Sequence, residues 1–216
     1  MNRLTKAALA ALTATTALIA FGPAQAGVNL ISDGDFSTPA VGGGWSMFSN
    51  GQVGAWQNTN GDTLEVGNNG IYGLSCYSSS ICQNLEVNAN TYDTVTQTVS
   101  GLSVGQAYTL SWAYGGRPGG GPQALDVSFG GQLLTTDTGS EGVWTDNSFR
   151  FLATSGTETL QFASRNLGGL PSYGNEITNV SLTAVPEPAA WATMLLGFFG
   201  LGAALRANRR SSIQAA

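Results

Sequence analysis

The chain has 216 residues, of which 42% are hydrophobic and 10% charged, with 30 glycines, 2 cysteines, no histidine and a formal net charge of −5. The lack of histidine excludes Ser-His-Asp and Cys-His nucleophile systems. Twelve of the thirteen acids lie in 27–185, where the only basic residues are Arg117, Arg150 and Arg165, so the clustered cations that hold nucleic acid or an anionic membrane surface are missing.

In chain order, Arg3 and Lys6 precede the uncharged stretch Ala7–Phe21 and then Ala24-Gln25-Ala26. A basic head, a short apolar middle and a small-x-small site predict a secretory signal peptide over 1–26, cleaved after Ala26. The remainder, 27–184, is long enough for one domain with a real core. In an oxidising exterior, Cys76 and Cys82 should form a disulfide that pins the turn between them. A thiol pair without histidine falls short of a zinc ligand set.

The middle reads as all-β. Gly, Asn, Ser and Thr punctuate short segments of period-two alternation. In Ala107–Tyr114, Tyr108, Leu110, Trp112 and Tyr114 face one way. Leu125, Val127 and Phe129 alternate with polar residues, and Gly130-Gly131 predicts a tight hairpin into Gln132. Phe149 and Phe151 flank Arg150, Leu160 and Phe162 flank Gln161, and Val180, Leu182 and Ala184 share a face of the last strand. Many short strands with Gly-rich turns indicate a sandwich or jelly roll. Val41–Gly61 reads as a Gly- and Asn-rich wrapping segment, with Trp45 and Trp56 as candidate core plugs. The loop Gly115–Pro122 lacks the ending and following helix of a phosphate loop.

The tail carries Pro186-Glu187-Pro188, Trp191, an uncharged apolar run over 189–205, and then Arg206, Arg209 and Arg210. The run is about 17 residues, the short end of what spans a bilayer core. The arginines predict a cytoplasmic end, leaving 211–216 as a cytoplasmic tail.

This order of Pro-Glu-Pro, Trp, apolar span and Arg cluster resembles the PEP-CTERM sorting tail of bacterial exported proteins, here over 185–210. In that family an integral-membrane protease, exosortase, recognises the motif and removes the span. The resemblance implies an exported protein, transiently anchored in the inner membrane by its C-terminal helix and then placed at the cell surface or outside. The segments Asn29–Phe36, Leu64-Glu65-Val66-Gly67, Leu85–Asn88, Thr96–Val99, Gly101–Leu110 and Asn175–Leu182 resemble, in their order, the galactose-binding-like jelly rolls of carbohydrate-binding modules. Such folds often hold a structural calcium. Ser37, Thr178 and Asn179 stand where the usual carboxylates would be, which leaves Asp33, Asp35 and Glu176 as candidate ligands, or as solvated loop acids.

The expected architecture is therefore a jelly-roll β-sandwich with a signal peptide and a single C-terminal transmembrane helix. For sugar binding, exposed aromatics and planar polar groups are needed. Arg117 and Tyr114 beside the Gly-rich loop, and Tyr173 and Asn175 before the last strand, are the candidates; Tyr72 and Tyr77 lie near the disulfide turn. Each has a plainer reading, Tyr114 as core and Arg117 as the partner of a neighbouring acid. The function expected is a non-enzymatic, exported surface or matrix protein that binds extracellular polysaccharide. The alternative is a structural protein acting by self-association. A glycan hydrolase would need two positioned carboxylates, drawn from Glu65, Glu86, Asp126, Glu141 and Glu176.

Overall fold

The structure is a computed structural model and describes residues 27–61, 63–68, 70–139, 141–186 and 188–214. The predicted signal peptide with Ala24 and Ala26, and Glu187 of the sorting motif, lie outside the described residues.

Residues Ala26–Pro186 form one compact unit. Its strands are β1 (Gly44–Ser49), β2 (Gln57–Asn58), β3 (Thr63–Asn68), β4 (Gln83–Glu86), β5 (Thr94–Ser100), β6 (Ala107–Gly115), β7 (Gln123–Phe129), β8 (Gln132–Asp137), β9 (Thr145–Leu152), β10 (Thr157–Asn166) and β11 (Glu176–Ala184). They make a six-stranded sheet, in the order β1-β3-β4-β11-β6-β9, and a five-stranded sheet, β2-β5-β10-β7-β8. Every strand pair is antiparallel.

The alternation explains the layers. In β6, Tyr108, Leu110, Trp112 and Tyr114 all point into the space between the sheets. There they meet Leu125, Val127 and Phe129 of β7 and Leu160 and Phe162 of β10. Phe36, Trp56, Phe162 and Trp112 form a chain of ring contacts through this core, at centroid distances of 5.5, 6.1 and 6.1 Å. The hairpin at Gly130-Gly131 has φ of 58° and 80°, both in the left-handed region that a two-residue turn of this kind requires.

The segment predicted to wrap the sandwich does more than wrap. It supplies β1 and β2, and its two tryptophans part company: Trp56 is fully buried, whereas Trp45 is exposed on the outer face of β1. Trp45 pairs with Gly67, a position that faces away from the core. In β11 the alternation breaks at Asn179, which has φ 50°. The register shifts between Thr178 and Ser181, so Ile177 and Val180 are both buried although an odd number of steps separates them. The N-terminal segment is laced onto this last strand. Leu30 N–H donates to the Leu182 carbonyl at 2.9 Å, and Val180 N–H to the Gly34 carbonyl at 2.8 Å. A Cβ on Gly34 would lie 2.0 Å from the Val180 oxygen.

The tail forms a separate helix, α1 (Pro188–Gln214), which contains the predicted span 189–205. No helix among the described residues is long and apolar enough to cross a membrane. The side chains of Pro188, Trp191, Arg209 and Arg210 in the sorting motif lie outside the described residues.

Candidate functional site

The outer face of the six-stranded sheet gathers the chemistry. Leu64 and Val66 of β3, Leu85 of β4 and Ile177 of β11 point inward, so Glu65, Glu86 and Glu176 point outward. The register places Glu65 opposite Glu86 and Glu86 opposite Glu176, which sets three glutamates side by side across three strands. Left bare, they would be solvated. They are instead buried, because the connection from β3 to β4 folds back over them.

Two glycines permit that cover. A Cβ on Gly67 would lie 2.6 Å from the Tyr72 ring, and one on Gly115 would lie 2.9 Å from Leu74. The Tyr72 hydroxyl donates to Glu65 Oε1. From the Gly-rich loop after β6, Arg117 reaches in between two rings, 4.2 Å from the Tyr72 centroid and 3.9 Å from that of Tyr173. Its Nη1 donates to Glu86 Oε2 at 2.8 Å, and Gly174 N–H donates to Glu86 Oε1 at 2.9 Å. Glu176 Oε2 accepts from Asn84 Nδ2, while Oε1 has no donor.

Three carboxyls thus share one guanidinium in a desolvated layer. Burial, opposed by Arg117 and aided by the charge of Glu65, pushes Glu86 up to about 7. Burial first, and then the charge of Glu86, raises Glu176 well above the ordinary 4.5. Glu65 is raised by burial, with the Tyr72 hydrogen bond and Arg117 acting against it. A side-chain hydrogen bond between Glu176 and Glu86 works against the rise at Glu86.

The four candidate ligand contacts therefore meet around one place but do not form an open surface. Arg117 is clamped on Glu86, with its side chain 19% exposed. Tyr114 is in the core, where its hydroxyl donates to Asn175 Oδ1 at 2.7 Å. Asn175 is buried too and donates to Asn88 Oδ1 at 2.8 Å. Tyr173 is the most exposed of the four, at 37%. The sequence placed Tyr114 on an inward-facing alternation, and burial follows from that phase.

The predicted calcium set is not gathered. Asp33 Oδ1 accepts from Thr38 N–H at 3.1 Å and Asp35 Oδ1 from Ser37 N–H at 3.2 Å, so both acids cap a turn in the N-terminal segment. Glu176 sits instead in the glutamate row. Among the described residues, no three His, Cys, Asp or Glu side chains are grouped to hold a metal ion.

A second feature of the same face was only partly legible. Cys76 and Cys82 are disulfide-bonded, and the short loop they close lays Tyr77 over the sheet beside β9. The Tyr77 hydroxyl donates to Asp146 Oδ1 at 2.8 Å. Its ring meets Trp144 edge to face at 6.4 Å and 86°, and Trp144 Nε1 donates to the Ser75 carbonyl at 2.8 Å. Tyr77 and Asp146, with Ser111, Trp112, Asn147, Ser148 and Asn179, line a groove of about 270 Å³. The Ser111 hydroxyl is paired with that of Ser181 at 2.8 Å. Tyr77 was visible as an aromatic near the disulfide; Asp146, Ser148 and Asn179 had no sequence signal, since two strands distant in sequence, β9 and β11, supply them.

No protein-family description matches the chain, and no curated protein is similar to it. Solved structures are. An arabinose-bound MgGH51 α-L-arabinofuranosidase matches with a TM-score of 0.51 at 16% identity, over 72% of this chain and 26% of that one. The CBM22-1 xylan-binding domain of Xyn10C from Paenibacillus barcinonensis matches with a TM-score of 0.49 at 12% identity, over 76% and 99%. TmCBM61 in complex with β-1,4-galactotriose matches with a TM-score of 0.44 at 16% identity, over 73% and 99%. The chain spans about a quarter of the arabinofuranosidase, and at this identity the likeness is one of fold. That fold is a two-sheet β-sandwich.

Proposed function

We propose that the β-sandwich is a non-catalytic polysaccharide-binding module of an exported protein, and that the glycan lies in the groove of Tyr77, Ser111, Asp146, Ser148 and Asn179. The carrying observation is the composition of that groove. It combines an aromatic side chain with a carboxylate, an amide and hydroxyls on a shelf held by three strands and a disulfide. Pyranose rings are recognised by that combination, apolar C–H faces on an aromatic and hydroxyls on polar groups. Tyr173 adds a solvent-reaching aromatic on the same face of the sheet.

The glutamate row supports binding over hydrolysis. Two carboxyls on adjacent strands are what a glycosidase uses, but here they lie beneath Tyr72 and Arg117, closed to a glycosidic oxygen. The delivery half of the reading rests on the sequence. The 1–26 leader directs export, and Pro186, Glu187, Pro188 and Trp191 with Arg206, Arg209 and Arg210 address the chain to an exosortase-type protease, with the helix as membrane anchor until it is processed.

The test is retention of the purified exported chain on the producing cell's own extracellular polysaccharide. Saturable retention, competed by free glycan and weakened about fivefold or more by Tyr77→Ala, is expected, since a stacked aromatic contributes roughly 1 kcal/mol or more. Absence of retention by the unmodified chain would remove the proposal.

A further inference from the structure

We propose that β9 is a pairing edge for a second copy of this chain, joined antiparallel about Ser148. This goes beyond glycan binding and rests on the backbone phase of the edge and on the order of charges along it.

β9 ends the six-stranded sheet. Val185 N–H donates to the Ala107 carbonyl at 2.8 Å, and Ala153 N–H to the Gln106 carbonyl at 3.0 Å. Odd residues of β6 therefore turn their backbone groups to β11 and even residues turn theirs to β9. With Tyr108 opposite Phe151, Leu110 opposite Phe149 and Trp112 opposite Asn147, the residues 147, 149 and 151 are the ones bonded to β6. Asp146, Ser148, Arg150 and Leu152 direct N–H and C=O groups away from the sheet. Their side chains lie on the outer face, and all four are exposed.

An open row of this kind is a template for another strand. A charge such as Arg150 usually guards an edge, but a guard fails when its complement stands at the matching position of the incoming strand. A twofold axis normal to the sheet keeps each side chain on its own face, so only four central registers are available. Centring on Arg150 sets the two arginines against each other. Centring on Phe149 puts Asp146 opposite Leu152, and centring on Asn147 puts Arg150 opposite Trp144. Centring on Ser148 alone places Asp146 opposite Arg150 twice and Trp144 opposite Leu152 twice. It also makes the Ser148 pair a hydrogen-bonded one, as the backbone phase demands.

The residues are free to act. The two ion pairs among the described residues use Arg117 and Arg165, not Arg150. Leu152 is 64% exposed, and Tyr77 engages only one oxygen of Asp146. Pairing extends the outer face into one sheet across both copies, with the two Tyr77 grooves flanking the axis.

Sedimentation equilibrium of the full chain in detergent, without glycan, tests the proposal. A concentration-dependent dimer is expected. Arg150→Asp and Asp146→Arg should each weaken it about tenfold or more, and the double variant should regain it because both cross-edge pairs are remade in reverse. Ser148→Cys should crosslink into a covalent dimer on mild oxidation, since opposed strand positions fall within disulfide reach. Unchanged thermal melting of each variant separates edge loss from unfolding. A monomer at every concentration, or an oligomer indifferent to both charge reversals and without the Ser148→Cys crosslink, would overturn it. Either result leaves glycan retention to be judged by its own assay.

Discussion

At the scale of single residues, the least replaceable side chain of the outer face is Arg117. It neutralises part of a buried row of three glutamates and fills the space between Tyr72 and Tyr173. Arg117→Ala strands Glu86 without its cation, a loss that costs roughly 3–5 kcal/mol for a buried pair. Thermal denaturation should show the cost larger at pH 8, above the titration of Glu86 at about 7, than at pH 5. The wild-type chain should itself lose stability as pH rises. Glu86 sits at about 7 and Glu176 well above 4.5, so the folded chain holds protons that the unfolded chain releases near 4.5. Their contribution is fully present below about pH 4.5 and is lost as pH climbs through 7. Glu158 is raised by burial but lowered overall by hydrogen bonds from Thr154 and Ser155, and acts in the opposite sense at the acid end. Glu176→Gln should flatten the neutral limb of a melting-temperature profile between pH 5 and 8.5; an unchanged slope would assign the titration elsewhere. Arg117 was legible as an isolated cation among acids. Its partner was not, because Glu86 is 31 residues away and only the β4–β11 register brings it there.

At the scale of elements, the decisive piece is the connection between β3 and β4. It covers the glutamates with Tyr72 and, through Cys76–Cys82, carries Tyr77 to the groove. Removing the disulfide with Cys76→Ser and Cys82→Ser should cost about 2 kcal/mol in denaturant unfolding, the order expected for so short a loop. The larger effect should fall on glycan retention, because Tyr77 loses its hold. Full retention by the double variant would detach the groove from the pinned loop. Strand β6 shows what alternation can tell. Tyr108, Leu110, Trp112 and Tyr114 were assigned to one face from sequence, and all four are buried. Leu110→Ala should accordingly cost about 2–5 kcal/mol. Alternation fails where the phase slips, as at the Asn179 bulge, and where a strand is too short to alternate, as in β2.

At the scale of the whole molecule, the acidic sandwich and its helical tail pose separate questions. The sorting proposal predicts that mass spectrometry of the exported form finds a mature N-terminus at Gly27 and a C-terminus before Arg206. A C-terminus beyond Arg206 would contradict processing of the tail. The amino-acid order alone established an all-β middle, a core face in most strands, a cysteine pair fit to bridge, and a chemistry without histidine. These are local properties, written in residue types and in period-two spacing. Tertiary structure decided which outward side chains are sealed and which are free. Glu65, Glu86 and Glu176 look like surface acids in one dimension and become a buried row when β3, β4 and β11 align. Tyr77, Asp146 and Asn179 are mutually distant in sequence and become one groove when a loop folds across β11, β6 and β9. Register and loop docking are set by contacts between distant segments, and no local pattern encodes them.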